Sequence, residues 1–251
     1  MKKTFTITFT LLLTFSFAFG QIETTKTKKV EDVPTKLKYD SLKNYVGMNV
    51  YAYIGQELYL RPQPPELRRY GYMSFYTSTD DGIKSNGENI YKCCDSYNAS
   101  YDALQGKYFK VVDVIRHPKA SEAPYLYGKA FFLKLVEKEH SDTCYYKYDG
   151  GSIEDVFPFT VVGYYLKCKK RYIGKKFATQ GKPWTSEHAE EKDIETAKEV
   201  TITKGKVWVV TDVTIDDKYY ELSLILKSQQ GEKVAIPLVT ALKYYFVIPM
   251  N

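Results

Sequence analysis

The second half of this chain reads as a copy of the first. Tyr45, Val46 and Gly47, followed by the run Gly106 to Val114, return as Tyr172, Ile173 and Gly174 followed by Gly205 to Val213. Each run has a Lys in second place, an aromatic close behind it, an Asp and a closing Val. Pro158 with Tyr164 and Tyr165 then answers to Pro237 with Tyr244 and Tyr245. Order, chemistry and approximate spacing recur together, which is the signature of an internal repeat. The expected organisation is therefore two similar units, a first β domain over 39–168 and a second over 169–251. A repeat constrains the fold and names no reaction.

The strand signals lie inside these runs. Residues 108–115, 130–136, 143–148 and 160–166 are rich in Val, Tyr, Phe and Thr and bounded by Gly, Pro or Asp, as are 200–203, 207–214, 219–227, 233–236 and 243–248. Asp216 with Asp217, and Gln229 with Gln230 and Gly231, fall where hairpin turns belong. Short strands at this spacing predict an all-β chain built from two tandem small barrels or sandwiches. The charged stretch 186–198 predicts a short surface helix. The first unit is longer than the second by an insertion over 61–100 that contains Pro62, Pro64 and Pro65 together with Cys93 and Cys94. Long insertions on a rigid sheet scaffold are where function tends to reside.

Lys2 and Lys3 precede an apolar run from Phe5 to Phe19 that closes on Ala18, Phe19 and Gly20. This pattern predicts a signal peptide over 1–20, cleaved near Gly20, and a periplasmic or extracellular destination. The segment 21–38, rich in Thr and Lys, buries too little apolar surface to offset its ordering and is expected to be a flexible leader. No later run approaches the roughly 20 apolar residues of a spanning helix, so no transmembrane segment is expected. An even cysteine count in an exported chain points to pairing. Adjacent cysteines bond each other poorly, so Cys144 and Cys168 are the expected partners of the Cys93/Cys94 pair, with one bridge expected to Cys144.

The formal charge is +6, of which Lys2 and Lys3 carry two. That mild balance lacks the concentrated stripe by which proteins neutralise phosphates, and nucleic acid is not an expected partner. The densest basic group is Lys167, Lys169, Lys170, Arg171, Lys175 and Lys176 at the joint between the units. It reads as a solvated strand edge that blocks edge-to-edge pairing. His117, His140 and His188 each sit among Pro or charged neighbours and read as exposed. No spacing of His, Cys and acidic residues makes a zinc motif, and neither a metal nor a cofactor is expected.

The aromatic load is the more telling feature, with 24 Tyr and 13 Phe. Tyr occurs in adjacent pairs at 145–146, 164–165, 219–220 and 244–245. Neighbours on a strand point to opposite faces, so each pair places one ring inward and one outward. Tyr146, Tyr164, Tyr220 and Tyr244 are the candidate ligand contacts, since an outward phenol offers an apolar body and a hydroxyl to a sugar, a peptide or a protein.

The run Gly106 to Val114 with the hairpin strand Phe131 to Leu135, and its counterpart Gly205 to Val213 with Leu222 to Leu226, resembles the bacterial SH3-like barrel. That resemblance implies a small barrel that binds cell-wall peptides or other envelope components. The expected function is an exported, non-catalytic binding or scaffolding protein of the bacterial envelope, with an envelope polysaccharide, peptide or protein as partner. Two other classes fit the same pattern. One is a structural subunit of a surface assembly. The other is a hydrolase acting on an envelope polymer, for which acidic residues such as Asp113 and Asp212 would have to converge.

Overall fold

Along Tyr108 to Arg116 the residues Phe109, Val111 and Val114 are buried while their neighbours face outward, the alternation of a sheet with one wet face. The computed structural model describes residues 39, 42–82, 87–95, 97–152, 156–179 and 190–247. The signal peptide and leader expected over 1–38 lie outside them, as does His188. The chain is mostly β, as expected from its strand signals. Among the described residues no helix is long and apolar enough to cross a membrane.

The first part of the chain contains β1 (Glu57–Leu60), helical turn α1 (Pro65–Arg68), β2 (Phe75–Tyr76), β3 (Cys93–Asp95), β4 (Asn98–Ala99) and helical turn α2 (Tyr101–Leu104). There follow β5 (Tyr108–Arg116), helical turn α3 (Pro124–Tyr127), β6 (Ala130–Glu137), β7 (Thr143–Asp149) and β8 (Phe159–Val161). Helix α4 (Val162–Tyr172) leads to β9 (Lys176–Thr179), β10 (Glu190–Lys192), β11 (Glu199–Thr201), β12 (Val207–Ile215), β13 (Leu222–Ser228) and β14 (Lys233–Pro237). A short turn α5 (Leu238–Thr240) and a π-helical turn over Ala241–Tyr245 precede β15 (Phe246–Val247).

Two larger antiparallel sheets result, with strand orders β2-β7-β6-β5-β1-β8 and β14-β13-β12-β9-β15. Apart from β2, which the insertion adds to one edge, the two orders match place for place. Details match too. Both long strands carry a bulge, between Val111 and Asp113 in β5 and between Val210 and Asp212 in β12. In both, the bulge Asp accepts the next residue's N–H at 2.8 Å, Val114 in one case and Val213 in the other. A bulge leaves an extra backbone group out of the ladder, and here a side chain satisfies the adjoining donor. Asp113→Ala and Asp212→Ala should each cost about 1 kcal/mol in urea unfolding; a cost at one site only would show that the bulges are not held alike.

Structure and sequence disagree on which residues correspond. Gly174 donates to Val210 O at 2.8 Å, and the residue making the same bond in the first sheet is Gly55, to Val111 O at 2.8 Å. Both have positive φ, 81° and 85°. The counterpart of Tyr172, Ile173 and Gly174 is thus Tyr53, Ile54 and Gly55, with Tyr45 to Gly47 lying upstream. The closing Tyr pairs do not correspond either: Tyr164 and Tyr165 follow β8, whereas Tyr244 and Tyr245 precede β15.

Three local expectations are also corrected. The segment 160–166 leaves its strand at Val161 and continues as α4, so Tyr164 and Tyr165 stand on a helix. The described part of 186–198 is no helix, for Glu190–Lys192 pairs with Glu199–Thr201 as a hairpin. Asp193 ties that hairpin's turn to β14: one carboxylate oxygen accepts from the Glu195 and Thr196 N–H groups and the other from the Lys233 N–H at 2.7 Å. The described part of segment 243–248 begins in a π-helical turn, with Phe246–Val247 as strand.

Each sheet covers its own apolar cluster. The first centres on Leu58, Phe75, Phe109, Leu133 and Phe159, the second on Phe177, Trp208, Val210, Leu224 and Ile236. Tyr164 packs against both. Residue 168, where the sequence was divided, lies inside α4, which rests on β1 of one sheet and β12 of the other.

Candidate functional site

The insertion over 61–100 folds back on the first sheet. Tyr72 and Ala99 exchange backbone hydrogen bonds at 2.8 and 3.1 Å, and β2 pairs with β7 through Phe75 opposite Tyr146. This brings Gln63, Tyr72, Met73 and Ser74 of the insertion alongside Tyr146 to Asp149 of β7 and Val156 to Pro158 before β8. Together with Tyr45 they enclose a cleft of about 230 Å³.

The cleft walls are fixed by their hydroxyls. Tyr72 donates to Arg61 O at 2.7 Å, Tyr148 to Gly47 O at 2.9 Å and Tyr45 to Asp149 O at 2.6 Å. Burial, which disfavours a phenolate, pushes all three phenols above their ordinary value, helped for Tyr45 by the nearby Asp149 charge. They are neutral hydrogen-bonding walls, unsuited to proton abstraction near neutral pH. Met73 and Val156 stand exposed on the rim, at 67% and 59%. Gln63 donates from Nε2 to Gly71 O at 3.2 Å, whereas its Oε1 is buried with no hydrogen-bond partner. An unpaired buried acceptor costs about 1–3 kcal/mol.

Lys147 links the cleft to a second network. Its ammonium pairs with the Asp81 carboxylate, which also accepts from His117 Nε2 at 3.2 Å. The His117 Nδ1 accepts the Lys119 N–H at 3.1 Å, so Nε2 carries the proton. Burial raises the Asp81 pKa, but the bonds from Lys147 and His117 outweigh it and hold the carboxyl below its usual range. His117 is therefore not exposed as its neighbours implied. It is 3% accessible and stacks on Tyr127 at 4.1 Å.

At the far end of β6, Glu137 is fully buried and accepts from Tyr91 at 2.9 Å, from Lys92 and from His140 at 2.9 Å. Burial raises its pKa, yet those donors bring it down to about 2. Glu137, Glu139 and His140 present ligand atoms within 4.8 Å of one another. Lys92 and Lys107 already neutralise these carboxylates, so the group reads as an ion-pair network that pins the insertion to β6.

Of the four tyrosines singled out from the sequence, the three whose side chains are described do not converge. Tyr146 is the inward member of its pair, 7% accessible among Phe75, Phe157 and Phe159, and reaches the cleft only as part of its lining. Tyr164 is packed between the two cores. Tyr220 lies in the β12–β13 turn under the Arg68 guanidinium, 5.7 Å from its ring. The Tyr244 side chain lies outside the described residues. In the structure the Cys93 and Cys94 sulfurs lie against each other, and Cys144 is a free thiol. Cys144 points from β7 into the core, fully buried, while Cys94 is exposed, so the pair and Cys144 face different surroundings.

Compared with protein-family models, with curated proteins and with solved structures, the chain finds no match in any of the three.

Proposed function

We propose that this chain is a non-catalytic binding module, exported to the bacterial envelope or beyond it, whose aromatic cleft takes a sugar ring of an envelope polymer. The observation that carries this reading is the unpaired Gln63 Oε1 in an aromatic-walled cleft. Sugars present apolar ring faces edged by hydroxyls, which suits apolar walls with a few convergent polar groups. Lys147 and Asp149 add a donor and an acceptor to the lining. The export signal at 1–20 supports the envelope as the setting. The matching strand orders and bulges support descent of the two sheets from one duplicated unit. In each, the last strand returns to pair with the first, which supports the small SH3-like barrel reading.

Met73→Asp and Gln63→Met test the cleft. Met73 is on the surface, so its change should leave the thermal midpoint nearly fixed. Gln63→Met removes the unpaired acceptor along with one weak bond and should be close to neutral. Both should lower retention of the purified protein on isolated envelope polysaccharide about tenfold, as expected for loss of one central contact. Unchanged retention would overturn the cleft as the binding site, and release of soluble fragments from the polysaccharide would show a hydrolase instead.

A further inference from the structure

From Val156 to Thr179 the described chain contains no acidic residue, yet it carries the densest basic group of the protein. The fold gathers these cations on the outer side of α4 and the turn after it, where Lys167, Lys170, Arg171, Lys175 and Lys176 are all exposed. Lys169 is the exception, held by Asp212 at 2.9 Å. The others have no carboxylate partner among the described residues. Leu166, Lys170 and Ile173 follow one another at spacings of four and three, which aligns them on one ridge. Leu166 is 57% and Ile173 43% exposed, while Cys168 on the opposite side is buried. Beside Leu166 an apolar groove of about 280 Å³ opens between Tyr59, Tyr108, Val162 and Ile215.

We propose that this face of α4 docks the protein on a bilayer rich in anionic phospholipid. Unpaired lysines and an arginine meet the headgroup phosphates, and Leu166 and Ile173 enter the boundary between headgroups and acyl chains. Interfacial helices combine these two features, a basic polar face and apolar residues that reach below the headgroups. A soluble polyanion would need the cations alone and gives no role to two exposed aliphatic side chains between them. A strand-edge guard against aggregation is not available as an explanation, because the cluster stands mainly on a helix whose backbone is internally bonded. This face is separate from the aromatic cleft and does not rest on the reading given for it.

The test is flotation of the purified protein with phosphatidylcholine vesicles made with and without phosphatidylglycerol. Phosphatidylglycerol should raise the bound fraction's partition coefficient about a hundredfold, and molar salt should reverse most of that gain. The triple change Lys167→Glu, Lys170→Glu and Arg171→Glu should return binding to the level of neutral vesicles. Leu166→Ser with Ile173→Ser should weaken binding to the anionic vesicles about tenfold while the thermal midpoint holds. Equal partition on both vesicle types would overturn the proposal. So would full binding by the double Ser variant, or tight binding of soluble polyphosphate without vesicle binding, either of which would mark a site for an anionic polymer. The salt reversal needs no variant and decides the electrostatic part even if a variant proves unstable.

Discussion

Trp208→Ala should destabilise the chain by about 4 kcal/mol, the largest single-residue effect expected among the described residues. Trp208 is fully buried at the centre of the second core, opposite Phe177 in the β9–β12 pairing. Truncation removes its transfer free energy and leaves a cavity that paired strands close only in part. Its indole N–H, however, is buried without an acceptor. Trp208→Phe gives up some volume but also removes that unpaired donor, and the two changes offset. The expected loss for Phe is therefore about 1 kcal/mol. Urea unfolding of both variants checks the pair, and similar losses for Ala and Phe would show that volume is not what Trp208 contributes.

The second large effect is expected at Lys92. Its ammonium is the principal counter-charge of Glu137, whose carboxylate has no exposure to water. Lys92→Met leaves a buried anion with only the Tyr91 and His140 bonds and a distant Lys107 at 3.7 Å, and should cost about 3 kcal/mol near neutral pH. The pH dependence has a definite sign. Glu137 titrates near 4.5 when unfolded and at about 2 when folded. A depressed folded pKa gives stability that is complete above 4.5 and lost as the pH falls toward 2. In Lys92→Met that depression is weakened, so the gap between variant and parent should narrow over the same interval. Thermal melts from neutral to acid pH measure it, and a constant gap would mean that Lys92 acts through its aliphatic stem alone.

How much of this was legible in the sequence differs by scale. Strands such as Tyr108–Arg116 and Val207–Ile215 announced themselves because period-two burial leaves a period-two pattern of side chains. Helix α4 was hidden for the same reason: Thr160 to Leu166, with Val161, Val162 and a Tyr pair, has strand composition, and packing on two sheets overrides that local preference. The hairpin Glu190–Lys192 with Glu199–Thr201 was hidden by charge. Its Glu191 is buried because Lys218 at 2.8 Å and the Tyr219 hydroxyl at 2.9 Å satisfy it, a compensation supplied by residues distant in the chain. The candidate cleft lay half in view. The insertion supplies part of its lining, but Gln63 carries no motif, and its meeting with Tyr146 and Phe157 exists only once β2 has joined β7. His117 gave a misleading signal, since the Asp81 and Tyr127 that bury it are recognisable as its neighbours only in three dimensions.

Because α4 leans on a strand of each sheet and Tyr164 is wedged into both cores, the helix is common property of the two halves. Proteolytic nicking anywhere between 162 and 172 would strip either fragment of a wall it needs. The halves should therefore melt in a single cooperative step, and neither should persist as a separate folded fragment.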